Sequence, residues 1–275
     1  GIEMNREPLR EITEEEIRTF REDGVVLLKG LFDMEWVERV RALAEIDMST
    51  PGAMKQELAK DGDPGRFFNN TFLWPRHNEF RDIVFQSPAA RIAARLMEAE
   101  KVNIVFDQFL IKEPGTQERT RWHHDLPYWP INGDQVCTLW LALDPVDAAS
   151  GAVEYVRGSH RWGMRYKAEA FLGEGRYKED LPPVPDIEAM RDDLEFVQPE
   201  LEPGDCTVHH GLTVHGAPGN ATADRRRRAY VTRWAGDDVV YYPRPGIQPM
   251  LRDPDIPSGG PLDSDLWPVV WENSR

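Results

Sequence analysis

The second half of the chain alternates short apolar runs with turn-forming residues. Such runs occur at 102–112, 118–124, 135–143, 152–157, 194–198, 206–215 and 227–234, and turns rich in Gly and Pro separate them. Many short strands joined by such turns are typical of sandwiches and barrels, whereas parallel sheets need long crossover connections, usually helices. The pattern therefore predicts a mostly β fold with an antiparallel sandwich or barrel core.

The first hundred residues show helical signals instead. Thr13 and Glu16 have the spacing of a capping box, which predicts a helix that starts there. Residues 25–31 are typical of a short buried strand. Asp33 is placed to cap a second helix, and Pro88 to open another. We therefore expect helices that flank the β core on its N-terminal side.

These patterns fit one domain over residues 1–275. We expect a helical part over about 10–100, a barrel core over about 102–237 and a C-terminal extension over 238–275. The stretch 164–193, rich in charge and proline, is expected to leave the barrel and return to it. The 275 residues provide ample material for a buried core.

Charge and hydropathy exclude several classes of protein. Lys and Arg number 33 against 48 Asp and Glu, so the formal net charge is −15. Such a chain lacks the basic surface that nucleic-acid binding requires. No apolar run approaches the roughly 18 residues that span a bilayer. Cys137 and Cys206 are too few for a disulfide framework and indicate reduced thiols in a cytoplasmic protein. The sequence indicates no oligomeric state.

Residues 47–80 join the helical part to the barrel and are rich in Gly, Pro and Asn. The segment ends in an aromatic stretch that includes Phe72 and Trp74. Two interpretations are open. It is a surface loop anchored by its aromatic side chains, or it is a lid over a pocket, because long loops are often functional.

Three segments carry residues suited to metal chemistry. His123 and Asp125 lie two apart at the end of a predicted strand, so their side chains leave the same face. The segment HHGLTVHGAPGN supplies His209, His210 and His215. The segment RRRRAYVTRW places arginines at the head of a strand. Each motif alone is weak, but their order and spacing strengthen the joint signal.

Two imidazoles and one carboxylate on one face of a metal suit ferrous iron in an oxygenase, because the opposite face stays open. A bidentate cosubstrate and dioxygen can occupy the open positions. An arginine deeper in the barrel would bind the far carboxylate of such a cosubstrate with a forked pair of hydrogen bonds. This arrangement is the one that 2-oxoglutarate requires.

The run from Phe20 to Asp237 resembles the phytanoyl-CoA dioxygenase family of iron(II)- and 2-oxoglutarate-dependent oxygenases. Four motifs carry the resemblance, in the family's order: FREDGVVLLKGLF, WHHDLPYWP, LWLALDPVDAASGAVEYVRGSHRWG and LEPGDCTVHHGLTVHGAPGN. The resemblance implies a double-stranded β-helix, the jelly-roll core of cupin-like proteins. It also implies Fe(II), 2-oxoglutarate as cosubstrate, and O2.

The resemblance assigns roles to individual residues. His123, Asp125 and His215 correspond to the metal triad, and His215 is preferred to His210 because the family's HG-x-x-x-N segment follows it. Arg227 corresponds to the anchor for 2-oxoglutarate. Three further residues are expected to contribute to the cosubstrate site: Trp140, Gln108 and Thr138. Strand alternation independently places Arg227, Ala229 and Val231 on one face, with Arg226 and Arg228 on the other.

Two positions depart from the family's pattern. The residue between the first two ligands is His124, where relatives often have Gln; it either bonds the cosubstrate or faces away. Two residues after His215 stands Ala217, where several relatives have a serine that helps to hold 2-oxoglutarate. Thr222, Thr138 or a water molecule is a candidate replacement.

The sequence thus predicts a dioxygenase that hydroxylates a small-molecule metabolite and releases succinate and CO2. The alternatives are a non-catalytic barrel and a cupin-like metal protein that does not use 2-oxoglutarate. Four aromatic residues are candidates for the substrate pocket: Tyr128, Trp129, Trp74 and Trp234. Four arginines are candidates for an anionic group of the substrate, although exposed salt bridges are the ordinary explanation for such residues: Arg121, Arg157, Arg161 and Arg233.

Overall fold

The computed structural model describes residues 4–171 and 175–274. Its four α-helices within these ranges are α1 (Glu14–Asp23), α2 (Met34–Ser49), α3 (Arg81–Phe85) and α4 (Ala89–Met97). Its strands are β1 (Val25–Leu28), β2 (Gln56–Glu57), β3 (Phe67–Thr71), β4 (Lys101–Lys112), β5 (Thr120–His123), β6 (Ile131–Asn132), β7 (Val136–Ala142), β8 (Glu154–Val156), β9 (Phe196–Val197), β10 (Cys206–His210), β11 (His215–Ala217), β12 (Arg227–Ala235), β13 (Val240–Tyr241) and β14 (Val269–Glu272). None of the helices in these ranges has the length and apolarity to cross a bilayer.

Two antiparallel sheets form the core. The larger sheet has the strand order β1-β10-β7-β12-β4-β3-β2, and β14 also pairs with β4. The smaller sheet has the order β5-β11-β8-β9. This arrangement is the predicted jelly roll, and the described part of the C-terminal extension contributes β14 to it.

The helical part follows the predicted boundaries closely. The Thr13 hydroxyl accepts a hydrogen bond from the Glu16 backbone N–H, and the Glu16 carboxylate accepts one from the Thr13 N–H. Gly24 ends α1 with a φ of 76°, a left-handed conformation that glycine adopts without strain. Asp33 precedes α2, but its carboxylate accepts from the Asn5 backbone N–H instead of capping the helix.

Alternation along β12 separates two environments. Tyr230 and Trp234 point into the core that the sheet forms with the helices. Ala229 and Val231 point the other way, into the space between the sheets, where they pack with Trp140. Arg226 pairs with Glu113 on the outer side, as the alternation predicted. The inner side of β12 therefore faces the barrel interior.

Residues 47–80 are more ordered than the sequence suggested. They contribute β2 and β3 to the edge of the larger sheet, and Phe68 and Phe72 are fully buried. The following turn is held by Asp107, whose carboxylate accepts hydrogen bonds from the backbone N–H groups of Leu73 (2.7 Å) and Trp74 (3.0 Å).

The Asp107 carboxylate also accepts a hydrogen bond from the Tyr230 hydroxyl at 2.5 Å. Burial raises the pKa of Asp107 to about 6, although these hydrogen bonds oppose the shift. Because this pKa lies above its unfolded value, the group's contribution to stability is complete below about pH 4 and declines as the pH rises through 6.

We expect Tyr230→Phe to lower the free energy of unfolding by about 1.5–3 kcal/mol at pH 8, where it removes a hydrogen bond to a buried charge. At pH 5, where Asp107 is mostly protonated, the loss should be smaller. Denaturant unfolding at both pH values measures the difference. Tyr242→Phe, at an exposed position, is the control and should change stability by less than about 0.5 kcal/mol. An equal loss at both pH values would contradict the prediction.

Candidate metal centre and cosubstrate pocket

The smaller sheet brings the two distant histidines together. His123 ends β5, His215 begins β11, and the two residues are direct partners in the antiparallel register. Asp125 lies two residues beyond His123. One potential ligand atom from each of the three residues lies within 4.8 Å of the others. The Asp125 Oδ1 atom is 3.5 Å from the Nε2 atoms of both histidines.

Hydrogen bonds determine which ring nitrogen carries the proton in His123 and His215. The Nδ1–H of His123 donates to the Arg121 carbonyl at 2.7 Å, and that of His215 donates to the Thr213 carbonyl at 2.8 Å. A neutral ring with its proton on Nδ1 keeps a lone pair on Nε2. Burial holds the pKa of His215 well below its ordinary value. The two rings therefore offer metal-binding nitrogens toward one carboxylate oxygen, a donor set that fits ferrous iron.

The second oxygen of Asp125 is bound by two residues that the sequence analysis did not connect with this carboxylate. Its Oδ2 accepts from His209 Nε2 at 2.8 Å and from Arg233 Nη1 at 3.1 Å. Burial opposes ionisation of Asp125, but the facing His215 and Arg233, with hydrogen bonds from the neighbouring rings, hold its pKa well below the ordinary value. The carboxylate is thus ionised and presents Oδ1 to the histidines.

Arg233 was predicted only as a candidate for an anionic group of the substrate and His209 only as one of three histidines in its segment, although the sequence contained a signal that places both inside the barrel. Arg233 continues the inward alternation of Arg227, Ala229 and Val231 along β12, and it is 8% exposed. Arg233 lies two residues after the inward-facing Val231, and His209 lies opposite Thr138, a residue of the neighbouring strand that was expected to face the barrel interior. Strand alternation and pairing therefore place both side chains inside the barrel.

A cavity of about 90 Å³ lies beside the triad, and we call it the Arg227 cavity. Its lining includes His215, Ala217, Trp140, Gln108 and Arg227. The Arg227 guanidinium lies 5.2 Å from the centroid of the Trp140 ring.

Arg227 is 2% exposed and donates only long hydrogen bonds of 3.2 Å, to the carbonyls of Gly151 and Leu110. No ion pair joins it to a carboxylate in the described ranges. Burial lowers its pKa to about 10, so it stays charged at neutral pH. A Cβ atom at residue 151 would lie 3.3 Å from Arg227 Nε, so glycine permits the close approach. A buried cation without a counterion fits the carboxylate of a bound acid.

Two of the residues expected at the cosubstrate site, Thr138 and Gln108, accept hydrogen bonds from Arg233. The Thr138 hydroxyl accepts from Arg233 Nη1 at 2.8 Å and does not line the Arg227 cavity. Thr138 therefore belongs to the support of Asp125, which corrects the prediction. The Gln108 carbonyl accepts from Arg233 Nη2 at 2.5 Å, and its amide donates to Asn69 at 2.5 Å. Gln108 lines the cavity as expected.

His124 faces away from the triad. Its Nδ1–H donates to the Leu212 carbonyl at 3.1 Å, and its Nε2 accepts from the Tyr166 backbone N–H at 2.8 Å. Burial lowers its pKa to about 4, which keeps the ring neutral and able to accept. His124 thus fastens the segment that follows residue 163 to the barrel. Thr222, a candidate replacement for serine, is bonded within its own turn to Asn220.

A second cavity of about 260 Å³ also adjoins the triad and shares His123 and Arg233 with the Arg227 cavity; we call it the aromatic cavity. His123, Asp125 and Arg233 form part of its wall, as do the predicted Tyr128 and Trp129. Part of segment 47–80 also lines it, through residues 53–56 and Leu58.

The prediction that Trp74 and Trp234 line the substrate pocket is wrong. Trp74 lies in the core between the sheet and the helices, where its ring packs edge-on against Phe85 at 5.2 Å. Trp234 is fully buried in the same core and donates to the Thr232 hydroxyl. Trp234 follows Arg233 directly, so strand alternation turns it to the opposite face. Of the remaining arginine candidates, Arg157 pairs with Asp23 at the surface.

Comparisons with known proteins agree with this geometry. The multifunctional dioxygenase prhA of Penicillium brasilianum is 26% identical over 250 residues, which cover 82% of this chain and 73% of that protein. The phytanoyl-CoA dioxygenase domain-containing protein 1 of Danio rerio is 22% identical, over 86% of this chain and 95% of its own.

Among solved structures, the non-heme alpha-ketoglutarate-dependent carbocyclase SnoK from nogalamycin biosynthesis superposes with a TM-score of 0.76. It is 26% identical and covers 95% of this chain and 97% of its own. The epimerase SnoN from the same biosynthesis shares the fold, with a TM-score of 0.73 at 22% identity. The sequence model for phytanoyl-CoA dioxygenase matches residues 20–229, most of the chain. This chain therefore belongs to the phytanoyl-CoA dioxygenase family.

Proposed function

We propose that this Fe(II)- and 2-oxoglutarate-dependent dioxygenase hydroxylates a small-molecule metabolite, with His123, Asp125 and His215 as the iron ligands. The observation that carries the proposal is the convergence of these ligand atoms beside a cavity in which a buried arginine lacks a counterion. The family assignment argues against the non-catalytic alternative, and Arg227 argues against a metal enzyme that does not use 2-oxoglutarate.

The bound metal, cosubstrate and O2 supply the oxidation: one oxygen atom enters succinate as 2-oxoglutarate loses CO2, and the other enters a C–H bond of the substrate. The residues of the chain orient these partners. Arg227 binds the far carboxylate of 2-oxoglutarate, and Trp140 packs against that guanidinium. Thr120, the cross-strand partner of Ala217, lines the same cavity and supplies a hydroxyl near the position where relatives have serine.

His209 and Arg233 hold Asp125 in the orientation that binds the metal through one oxygen. Hydrogen bonds to a ligating group from residues behind it fix its geometry and contribute to metal affinity. With Oδ2 engaged by both donors, Oδ1 is the oxygen left for the metal. If Asp125 binds the metal through Oδ1 alone, more coordination positions would stay open for the cosubstrate and O2.

We expect His215→Ala to abolish succinate formation and to remove tight Fe(II) binding, because one of three protein ligands is lost. Calorimetric titration with Fe(II) under argon measures the affinity, and chromatography measures succinate.

In the wild type, mass spectrometry of the product should find one added oxygen atom. A product that loses two hydrogens, or one with unchanged mass, would identify cyclisation or epimerisation and contradict the hydroxylase proposal.

We expect Arg227→Gln to weaken 2-oxoglutarate binding about a hundredfold, which corresponds to ~2.7 kcal/mol for the loss of a buried charge-assisted pair. The visible charge-transfer band of the anaerobic Fe(II) complex, titrated with 2-oxoglutarate, gives the dissociation constant. Arg226→Gln is the matched control, because its side chain pairs with Glu113 on the outer face. Equal effects of the two substitutions would contradict the assignment of Arg227.

We expect His209→Phe to weaken Fe(II) binding by roughly 10–100-fold, the usual cost of removing a group that orients a metal ligand. The control is the neighbouring His210, because its Nε2 contacts the Asp134 carboxylate at the surface and not Asp125. His210→Gln should change Fe(II) affinity by less than about threefold, which calorimetry resolves. Retention of full affinity in His209→Phe would disprove the positioning role.

A further inference from the structure

The aromatic cavity has two chemically different walls. One wall carries amide side chains, among them Gln56, Asn69 and Gln108, which are joined in a chain of hydrogen bonds that ends on Arg233. A second part of the wall consists of aromatic rings: Phe106, Tyr128, Trp129, Phe171 and Tyr177. The Phe171 ring lies parallel to that of Tyr128 and edge-on to that of His123, at 5.2 Å from the latter. A flat molecule with polar groups along one edge fits such a cavity.

The charge that lines this cavity is mostly positive. Among its described lining residues, Lys55, Arg176 and Arg233 are cations and Asp125 is the carboxylate. The double positive charge of a divalent metal at the triad would exceed the single negative charge of Asp125. With one carboxylate of 2-oxoglutarate at Arg227 and the other at the metal, the charges of the metal, Arg227 and Arg233 would exceed those of Asp125 and 2-oxoglutarate by one, although Arg233 also contacts Asp125. The cavity therefore favours an anion in a chain whose net charge is −15.

Arg233 is the cation placed closest to the reaction. Its side chain borders both cavities and is sandwiched between aromatic rings, with the guanidinium carbon 5.1 Å from the Trp129 centroid and 5.5 Å from that of Phe106. A guanidinium has five N–H donors. The hydrogen bonds to Asp125, Thr138 and Gln108 use three of them, and Nε has no partner. The second N–H of Nη2 is left for a ligand.

We propose that the substrate is an organic acid with a flat ring body, whose carboxylate binds Arg233 while the ring lies against the aromatic wall. This inference rests on the proposed function, because it concerns the substrate of the same site. It assigns Arg233 a role in substrate selection besides its support of Asp125. Lys55, an exposed residue of the cavity wall whose Nζ lies 3.6 Å from Glu57 Oε1, adds a second positive charge near the same anion.

The test compares carboxylic acids with their primary amides. A panel of one-ring and two-ring aromatic acids, each with its amide, is titrated into protein that holds Fe(II) and 2-oxoglutarate under argon, and the change of the charge-transfer band is followed. The same pairs are titrated by calorimetry into Zn(II)-loaded protein without 2-oxoglutarate. Failure of the band to form in wild-type protein would count against the proposed function, whereas the calorimetric titration tests the substrate class separately.

At least one acid should bind tenfold or more tightly than its amide. Arg233→Gln should reduce that preference to less than twofold, and Arg233→Lys should restore part of it. Lys55→Gln, which leaves the contacts of Asp125 intact, should lower the preference by two- to threefold. Arg157→Gln, at a surface ion pair, is the control and should retain the full preference.

Three results would overturn the proposal. In the first, amides bind as tightly as acids, or no acid of the panel binds. In the second, the acid preference survives in both Arg233→Gln and Lys55→Gln. In the third, Arg233→Gln weakens 2-oxoglutarate binding while the acid preference remains, which would mean that the carboxylate at Arg233 belongs to the cosubstrate.

Discussion

The hydrogen-bonded clamp on the Asp125 carboxylate is the interaction on which the site depends. Asp125 is buried, and a buried carboxylate is costly unless donors surround it. His209 and Arg233 satisfy Oδ2 and leave Oδ1 facing the two histidine nitrogens. The larger sheet supplies both donors and the smaller sheet supplies the histidines, so the carboxylate joins the two halves of the barrel. The clamp thus connects the packing of the sheets to the geometry of the metal centre.

The two faces of strand β12 have different roles: one lines the cavities and the other packs in the core. Its odd-numbered residues run from Arg227 to Arg233 through the interior; Arg227 lines the Arg227 cavity, and Arg233 lines both that cavity and the aromatic cavity. Its even-numbered residues Tyr230 and Trp234 pack against the helices. The same strand therefore anchors the core on one face and lines both cavities on the other. Five residues lie between the two arginines, and the six backbone steps that join them span roughly 20 Å in an extended strand.

The fold and the triad were largely predictable because their signals are local or regularly spaced. Capping residues, turn residues and strand alternation each act over a few positions, so most helices and strands of the predicted set lie within a few residues of their observed ends. The run 206–215 is an exception, because it contains two strands, β10 and β11, that belong to different sheets. The errors arose where a side chain's surroundings come from distant strands. Trp74 follows a turn that Asp107 holds from another strand, and its placement in the core has no signal in its own neighbourhood.

The strand and turn pattern of the sequence predicted a mostly β sandwich or barrel, and strand alternation placed Arg227 on the same face as Ala229. The resemblance of four sequence motifs to the family implied the jelly roll, the three iron ligands and the role of Arg227. Only the tertiary structure decided which groups meet across the barrel: His209 and Arg233 on one oxygen of Asp125, Thr138 beneath them, and Trp234 on the far side of the sheet. Contacts between strands separated by tens to more than a hundred residues depend on register and sheet order. Local pattern does not encode these, since a shift of one residue in register would exchange the two faces of a strand.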